Sequence, residues 1–170
     1  MSTKVYCTQQ QVNSWVQNII RELSQEGWVP DYVVGITRGG LVPAVMISQY
    51  LNVPLHTLGV SLRDTTTGPE SNLWMAEDAL GYEQDKKKIL IVDDINDSGA
   101  TINWIKQDWP SGCLPDDESW DTVWGSNVRF AVLINNEASE FKNPDYVGTY
   151  VNKLENPAWF VFPWENWWEQ

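Results

Sequence analysis

Ile89-Leu-Ile-Val-Asp-Asp-Ile-Asn-Asp-Ser-Gly-Ala-Thr101 carries the strongest structural signal in this chain. Its first four residues are apolar and mostly β-branched, which predicts a strand buried on both faces, as in a parallel sheet. Two carboxylates follow, and then a turn that contains Gly99. A helix is predicted next, over about residues 102–109, with Pro110 as its stop. Strand, polar turn and helix in this order are typical of an α/β fold.

The segments around this stretch repeat the alternation of strand and helix. The other predicted elements are a helix over 12–23 that opens with a capping box at Thr8–Gln11 and ends before Gly27, a helix over 41–51, and strands at 32–36, 53–60 and 128–134. This pattern predicts an α/β fold with a mostly parallel, twisted sheet flanked by helices. Ligands bind such sheets at the carboxyl ends of the strands, where the glycine loop at 37–40 and the acidic turn at 93–101 fall.

Length and charge limit the classes of function. The 170 residues suit one domain, 1–170, and 11 basic against 23 acidic side chains give a net charge of −12. We therefore expect neither nucleic acid nor an anionic membrane as a partner. A phosphorylated ligand would need a metal cation or backbone amides to supply positive charge.

The cysteines and the amino-terminal residues predict where the protein works. Cys7 and Cys113 are the two cysteines, so neither a disulfide framework nor a CxxC metal motif is expected. The first ten residues do not resemble a signal peptide, and no apolar run approaches the length of a membrane span. We expect a reduced, cytoplasmic protein, in which the single His56 excludes a site built from several histidines.

The acidic turn combines two kinds of binding group. Asp93 and Asp94 repel each other at the end of a buried strand, which favours a bound divalent metal or sugar hydroxyls. The turn Ser98–Thr101 leads into a helix N-terminus, where backbone N–H groups and hydroxyls can hold a phosphate. Together these groups suit a ribose 5-phosphate. The alternative is an ordinary strand–turn–helix with aspartate caps.

This motif resembles the phosphoribosyl diphosphate (PRPP) signature of type I phosphoribosyltransferases. That signature is an apolar strand, two acids, two spacers, Asp, Thr or Ser, Gly, a small residue and Thr. The resemblance implies that Asp93 and Asp94 hold the ribose hydroxyls of PRPP, directly or through Mg²⁺, and that Asp97 is the catalytic residue that accepts a proton from the base. It also implies that the 5′-phosphate is bound by Ser98, Gly99, Ala100 and Thr101.

A second motif, Gly35-Ile-Thr-Arg-Gly-Gly-Leu-Val-Pro43, has paired glycines that let backbone approach an anion, and an arginine that adds charge. A plain tight turn is the alternative. The motif resembles the diphosphate-binding loop of bacterial and archaeal xanthine–guanine phosphoribosyltransferases, which read Ser-Arg-Gly-Gly-Leu-Val-Pro. By that resemblance PRPP is also bound by Thr37, Arg38, Gly39 and Gly40.

The aromatic tail resembles the small carboxy-terminal hood of the same enzymes. Its matching segments are 143–146 and 159–165, which place the hood at about 136–170, with a possible contribution from the N-terminus, and the core at about 28–135. The resemblance implies that Trp159 stacks on the nucleobase and that backbone near Phe160 reads the base edge. Core packing is the alternative for any one of the 11 tryptophans, and we expect Trp164, Trp167 and Trp168 to be mainly structural.

Two further segments are predicted to lie outside the core. The polar connection 61–85 contains the place of the family's mobile lid, with Ser61 and Arg63 as candidate lid residues; disorder without a role is the alternative. The acidic, turn-rich segment 111–126 is predicted to be a surface insertion.

The sequence departs from the family at one base-binding position. The 6-oxopurine enzymes carry a lysine just after the fourth strand, which donates to the exocyclic oxygen of the base. Here Asn136 falls nearest to that place, and its amide can still donate to a carbonyl oxygen. Asn136 is therefore the third candidate for base binding.

These resemblances imply an Mg²⁺-dependent enzyme that moves ribose 5-phosphate from PRPP to a nucleobase, with a 6-oxopurine favoured, and that forms a homodimer or homotetramer. A sensor of PRPP or a nucleotide on the same fold is the alternative. A third interpretation is an aspartyl-phosphate receiver domain, which also places acids at strand ends. Receivers need an early acidic pair and a later lysine, and the glycine turn after Asp97 has no purpose there.

Overall fold

The computed structural model describes residues 3–60 and 73–169, which form seven strands and four α-helices. The elements are β1 (Thr3–Tyr6), α1 (Gln9–Glu26), β2 (Tyr32–Thr37), α2 (Leu41–Leu51), β3 (Leu55–Gly59), α3 (Leu73–Leu80), β4 (Ile89–Asn96), α4 (Ala100–Gly112), β5 (Val128–Asn136), β6 (Tyr146–Val151) and β7 (Ala158–Val161). Ser61 and Arg63 lie outside the described residues.

The central sheet has five parallel strands in the order β3-β2-β4-β5-β6. The predicted parallel α/β sheet is therefore confirmed. The chain runs from β2 outward to β3 and then returns to place β4 on the other side of β2. The strand order thus reverses at β2 and β4, where open α/β sheets bind their ligands.

Residues of the central strands face opposite sides of the sheet in alternation, and each side has its own core. Val34 and Ile91 pack on one side with residues of α3 and α4. Val33 and Leu90 pack on the other side with residues of α1 and α2. This double burial explains why β4 reads as an uninterrupted apolar run.

Helix α1 begins and ends as its sequence predicts. The backbone N–H of Gln11 donates to Thr8 Oγ1 at 3.0 Å, and the backbone N–H of Thr8 donates to Gln11 Oε1 at 2.9 Å, which completes the capping box. Gly27 ends the helix in the left-handed conformation. The buried face of α1 consists of Val12, Val16, Ile19 and Leu23.

Two helices differ from the sequence-based expectation. The sequence predicts a polar connection over 61–85, but helix α3 lies within it and buries Met75 and Ala76 in the core. Helix α4 continues through Pro110 to Gly112, so the predicted stop at Pro110 is wrong. Because Trp109 is only 1% exposed, its burial offsets the one helical hydrogen bond that a proline removes.

The segment 111–126 is partly core. Trp120 and Val123 are buried, and the Trp120 indole N–H donates to the carbonyl oxygen of Cys113 at 2.8 Å. The ring of Trp120 stacks on that of Trp124 with centroids 5.9 Å apart. An insertion lying wholly on the surface would bury none of these groups, so that expectation does not hold for the middle of the segment.

The tail forms a second, two-stranded sheet with the amino-terminal strand. Strands β1 and β7 pair in parallel, with Lys4 opposite Trp159 and Val5 opposite Phe160. Phe162, just after β7, is buried in the core that α1 shares with the sheet. In the ranges that the structure covers, no helix is long and apolar enough to cross a membrane.

Candidate active site

The glycine loop after β2 lies directly on the acidic end of β4. A Cβ at Gly39 would overlap the Asp94 carboxylate, and a Cβ at Gly40 would overlap the carbonyl oxygen of Val92. Only glycines allow this approach. The Thr37–Arg38 peptide between strand and loop is cis. The two motifs that are separate in the sequence therefore form one site at the carboxyl edge of the sheet.

Asp93 and Asp94 are held by their own backbone. The N–H of Asp94 donates to Asp93 Oδ1 at 2.8 Å, and the N–H of Ile95 donates to Asp94 Oδ1 at 2.8 Å. Burial, and then the neighbouring charge of Asp94, raises the pKa of Asp93 well above its usual range. Burial also raises the pKa of Asp94. Two carboxylates destabilised in this way would gain from a cation or from hydroxyl donors.

The turn at the start of α4 has backbone N–H groups that are available to an anion. Gly99 has φ +90, and a Cβ there would lie 2.5 Å from the backbone nitrogen of Phe141. The N–H of Ala100 donates to Ser98 Oγ at 3.2 Å. Within the described ranges the N–H groups of Gly99 and Thr101 have no hydrogen-bond acceptor. They adjoin a cavity of about 200 Å³ lined by residues 93–102.

A network of buried polar side chains, which was not predicted from the sequence, packs against the protein-facing side of this turn. Asn96 Nδ2 donates to Asn135 Oδ1 and to the carbonyl oxygen of Phe141, both at 2.8 Å. Ser139 Oγ donates to Asn96 Oδ1 at 3.1 Å. The N–H of Glu140 donates to the carbonyl oxygen of Ser98 at 3.0 Å. Asparagines at the ends of otherwise apolar strands were the available sequence signal.

Asn136 fastens the catalytic candidate Asp97 to the sheet. Its Nδ2 donates to the backbone carbonyl oxygen of Asp97 at 2.9 Å, and its Oδ1 accepts from the N–H groups of Ala138 at 3.1 Å and Lys153 at 3.0 Å. The amide that the resemblance assigned to the base is thus engaged within the protein.

Lys153, which follows β6, is a site residue that the sequence analysis did not identify. Its Nζ lies 2.9 Å from Asp97 Oδ1 and donates to Asp97 Oδ2 at 3.0 Å. It also lies 6.0 Å from the centroid of the Trp159 ring. A cavity of about 430 Å³ adjoins the pair and is lined by Asp97, Ser98, Ala100, Asn136, Ala138, Glu140, Lys153 and Leu154.

The tryptophans of the tail divide into exposed and packed rings. Trp159 is 57% exposed, which excludes core packing for this ring, and Phe160 beside it is half-buried. Trp164 stacks on Phe162 with centroids 4.9 Å apart. Trp167 and Trp168 are exposed, in contrast to their expected structural role, and line a cavity of about 670 Å³ that reaches Arg38 and Asp94.

The donors at this edge fit a hard cation whose remaining ligands come from a substrate. In the residues with described positions, no group of three or more His, Cys, Asp and Glu side chains converges as a complete metal site. Mg²⁺ needs no such cage, because it is commonly held by one or two carboxylates, water and substrate phosphates. Asp93 and Asp94 supply that kind of ligand.

Comparison with known proteins agrees with this geometry. The chain belongs to the phosphoribosyl transferase family: residues 4–168 match the model of the phosphoribosyl transferase domain. It is accordingly a phosphoribosyltransferase, of a family that uses Mg²⁺ with PRPP.

Several similar proteins are named as phosphoribosyltransferases that act on purines. The chain is 22% identical to xanthine phosphoribosyltransferase 1 of Saccharomyces cerevisiae, over 95% of this chain and 90% of that one. It is 29% identical to xanthine-guanine phosphoribosyltransferase of Cereibacter sphaeroides, over 78% of this chain and 68% of that one. The structure of a purine phosphoribosyltransferase from Pyrococcus horikoshii aligns with a TM-score of 0.66 at 27% identity, covering 96% of this chain and 94% of that one.

Proposed function

We propose that this protein transfers ribose 5-phosphate from PRPP to a 6-oxopurine (guanine, xanthine or hypoxanthine) and releases diphosphate, a purine salvage reaction. The observation that carries the proposal is the direct contact of Gly39 and Gly40 with the Asp93–Asp94 pair. It joins an anion-binding loop to diol-binding acids at one edge of the sheet. The names of the similar proteins support the choice of a purine.

In this proposal PRPP lies across the ends of β2 and β4. The turn Ser98–Thr101 binds the 5′-phosphate through its free N–H groups, and Asp93 and Asp94 bind the ribose hydroxyls. Thr37, Arg38, Gly39 and Gly40 bind the diphosphate, with the Arg38 guanidinium as the charged donor. Backbone amides and Arg38 thus let a chain of net charge −12 hold a polyanion.

The two carboxylates at the end of β4 are the candidate ligands for magnesium. Asp93 and Asp94 would hold Mg²⁺ together with oxygens of PRPP, and the cation would supply positive charge to the departing diphosphate.

The chemical step breaks the bond between C1′ and the diphosphate oxygen, which keeps the electron pair. A ring nitrogen of the base forms the new bond to C1′, and the base loses a proton. Asp97 accepts that proton, since its carboxylate lies beside the phosphate turn and is 45% exposed. Positive charge develops at C1′, so positioning and electrostatics make the protein's main contribution.

The base lies against Trp159 in this proposal. The indole ring of Trp159 is exposed, and its centroid lies 6.0 Å from Nζ of Lys153, which lines the cavity beside Asp97; such a ring is a suitable stacking platform for a flat base. Backbone near Phe160 reads the edge of the base, because β7 carries both residues.

The test is a panel of free bases with PRPP and Mg²⁺: guanine, xanthine, hypoxanthine, adenine, uracil and orotate. Diphosphate release and nucleotide formation are measured for each base. We expect turnover with 6-oxopurines and little with the other bases. Turnover only with a pyrimidine or adenine would refute the choice of base.

The same assay separates the enzyme from the sensor alternative. PRPP binding, measured by calorimetry, without turnover of any base would favour a sensor. If the protein shows no binding of PRPP and no turnover of any base, the proposed placement of PRPP is refuted.

A further inference from the structure

We infer that Lys153 is the specificity-determining residue that makes the site select a base with a carbonyl oxygen next to its protonated ring nitrogen. The inference rests on the proposed function and deepens it. It assigns to Lys153, in the segment after β6, the recognition role for which Asn136, the last residue of β5, was the candidate.

The ammonium group of Lys153 lies between the Asp97 carboxylate and the adjoining cavity. Lys153 Nζ contacts both carboxylate oxygens of Asp97, at 2.9 and 3.0 Å. An ammonium has three N–H donors and no acceptor. In the ranges 3–60 and 73–169, Lys153 Nζ has no hydrogen-bond partner other than Asp97, so at least one of its N–H donors remains for a ligand. The Lys153 side chain is 18% exposed and borders the cavity beside Asp97.

The backbone of Lys153 is also fixed. Asn136 Oδ1 accepts its N–H at 3.0 Å, while Asn136 Nδ2 donates to the Asp97 carbonyl oxygen at 2.9 Å. The buried side-chain amide of Asn136 therefore sets the distance between the segment that carries Lys153, the donor, and the segment that carries Asp97, the proton acceptor. Asn136 Nδ2 also lies 3.5 Å from Asp97 Oδ1, so both ends of this amide contact groups of the protein.

The pair matches one edge of a 6-oxopurine. On that edge the ring nitrogen N7 and the oxygen on C6 are neighbours, as in guanine. A base that stacks on Trp159 and gives its N7 proton to Asp97 brings the C6 oxygen towards Lys153, because Nζ lies 6.0 Å from the Trp159 ring and 2.9 Å from Asp97.

An amino group at C6 reverses the match. Adenine presents an N–H₂ donor where guanine presents an acceptor. Two donors would then face each other, since Lys153 can accept no hydrogen bond. A site built to donate to a carbonyl rejects an analogue that lacks it, because its own polar group is left unpaired.

The experiment removes the ammonium group from the protein and, separately, the C6 oxygen from the base. Lys153→Met removes the ammonium and keeps the length of the side chain, and unsubstituted purine is hypoxanthine without its oxygen. Values of kcat/KM are measured for both bases with wild type and variant, at saturating PRPP and Mg²⁺. Lys142→Met is the matched control, because that exposed lysine donates to the backbone of Glu137 and not to Asp97.

For hypoxanthine, Lys153→Met is expected to lower kcat/KM by about 10- to 100-fold, the range for losing a hydrogen bond to a charged group. For unsubstituted purine the loss should be much smaller, because the bond does not exist there. Lys142→Met should leave both values within about twofold of wild type.

Equal losses for the two bases would overturn the inference, since they would mean that Lys153 acts only through Asp97. Unchanged values for both bases would overturn it as well. Lys153→Gln, which keeps a donor without the charge, should fall between wild type and Lys153→Met for hypoxanthine alone, and it serves if the methionine variant is insoluble. If wild-type protein consumes no 6-oxopurine, the proposed function fails before this question arises.

Discussion

Gly39 lies so close to Asp94 that a methyl group at residue 39 would occupy the space of the carboxylate. The two residues belong to loops that follow different strands, yet no side chain fits between them. The glycine therefore sets the position of the Asp94 carboxylate, and with it the distance between the loop after β2 and the acidic end of β4.

Gly39→Ala is expected to raise the KM for PRPP at least tenfold, because the new methyl displaces the Asp94 carboxylate or the loop. Steady-state kinetics with varied PRPP measures the effect. Gly59→Ala is the control, since a Cβ there would lie 3.8 Å from Thr37 Oγ1, an ordinary contact. Equal KM values for the two variants would show that the close approach is unimportant for PRPP.

Asp93→Asn is expected to abolish PRPP use and to stabilise the protein at neutral pH. Burial and the charge of Asp94 raise the pKa of Asp93, so the folded state holds a proton that the unfolded state releases. Wild-type stability therefore falls as pH rises above the ordinary carboxyl pKa of about 3.9, and the variant lacks this loss. Each tenfold difference in proton affinity between the folded and unfolded states is worth about 1.4 kcal/mol, or about 3–6 °C in Tm for a chain of this size.

Thermal melts of wild type and Asp93→Asn test this dependence of stability on pH. The range runs from about pH 4, near the ordinary carboxyl pKa, to about pH 8. The difference in Tm should grow with pH and vanish at the acid end. A variant less stable than wild type at neutral pH would contradict the sign. PRPP with Mg²⁺ should raise the Tm of wild type but not of the variant.

Asp97→Asn is expected to lower kcat by about 10²- to 10⁴-fold with a much smaller change in the KM for PRPP. Asparagine retains the shape of the side chain but accepts a proton poorly, and it leaves the Lys153 ammonium without its ion pair. Steady-state kinetics with PRPP and the base each varied gives the change in kcat and the change in KM separately. A raised KM for PRPP with kcat intact would make Asp97 a binding residue only.

Trp159→Ala is expected to raise the KM for the base by roughly 5- to 150-fold, the range for losing one base–aromatic stack. The KM for PRPP and the Tm should change little, because the ring is 57% exposed. Trp109→Ala is the contrasting variant: its ring is 1% exposed, and its loss should cost about 3–5 kcal/mol of stability. A large fall in Tm for Trp159→Ala would instead assign that ring to packing.

The contiguous parts of the site could be predicted from the sequence. Strand β4 and its two carboxylates stand together in the chain, and double burial leaves an unmistakable apolar run. The capping box of α1 is likewise a local pattern, and the structure contains it.

The parts of the site that depend on contacts between distant segments of the chain could not be predicted from the sequence. Lys153 is 56 residues from Asp97 along the chain, and nothing local to it indicates that it pairs with a carboxylate. Pro110 breaks an isolated helix, but burial of Trp109 outweighs that preference in the folded protein. Tertiary packing, which no local pattern records, decided both cases.

The pairing of β1 with β7 joins residues 3–6 to residues 158–161, so it closes a loop that spans nearly the whole chain. These two strands pair with each other and not with the five-stranded sheet, so we expect this ribbon to open at a lower denaturant concentration than the central strands. Because the ribbon carries Trp159, the proposed function predicts that mild denaturant weakens binding of the base before it weakens binding of PRPP.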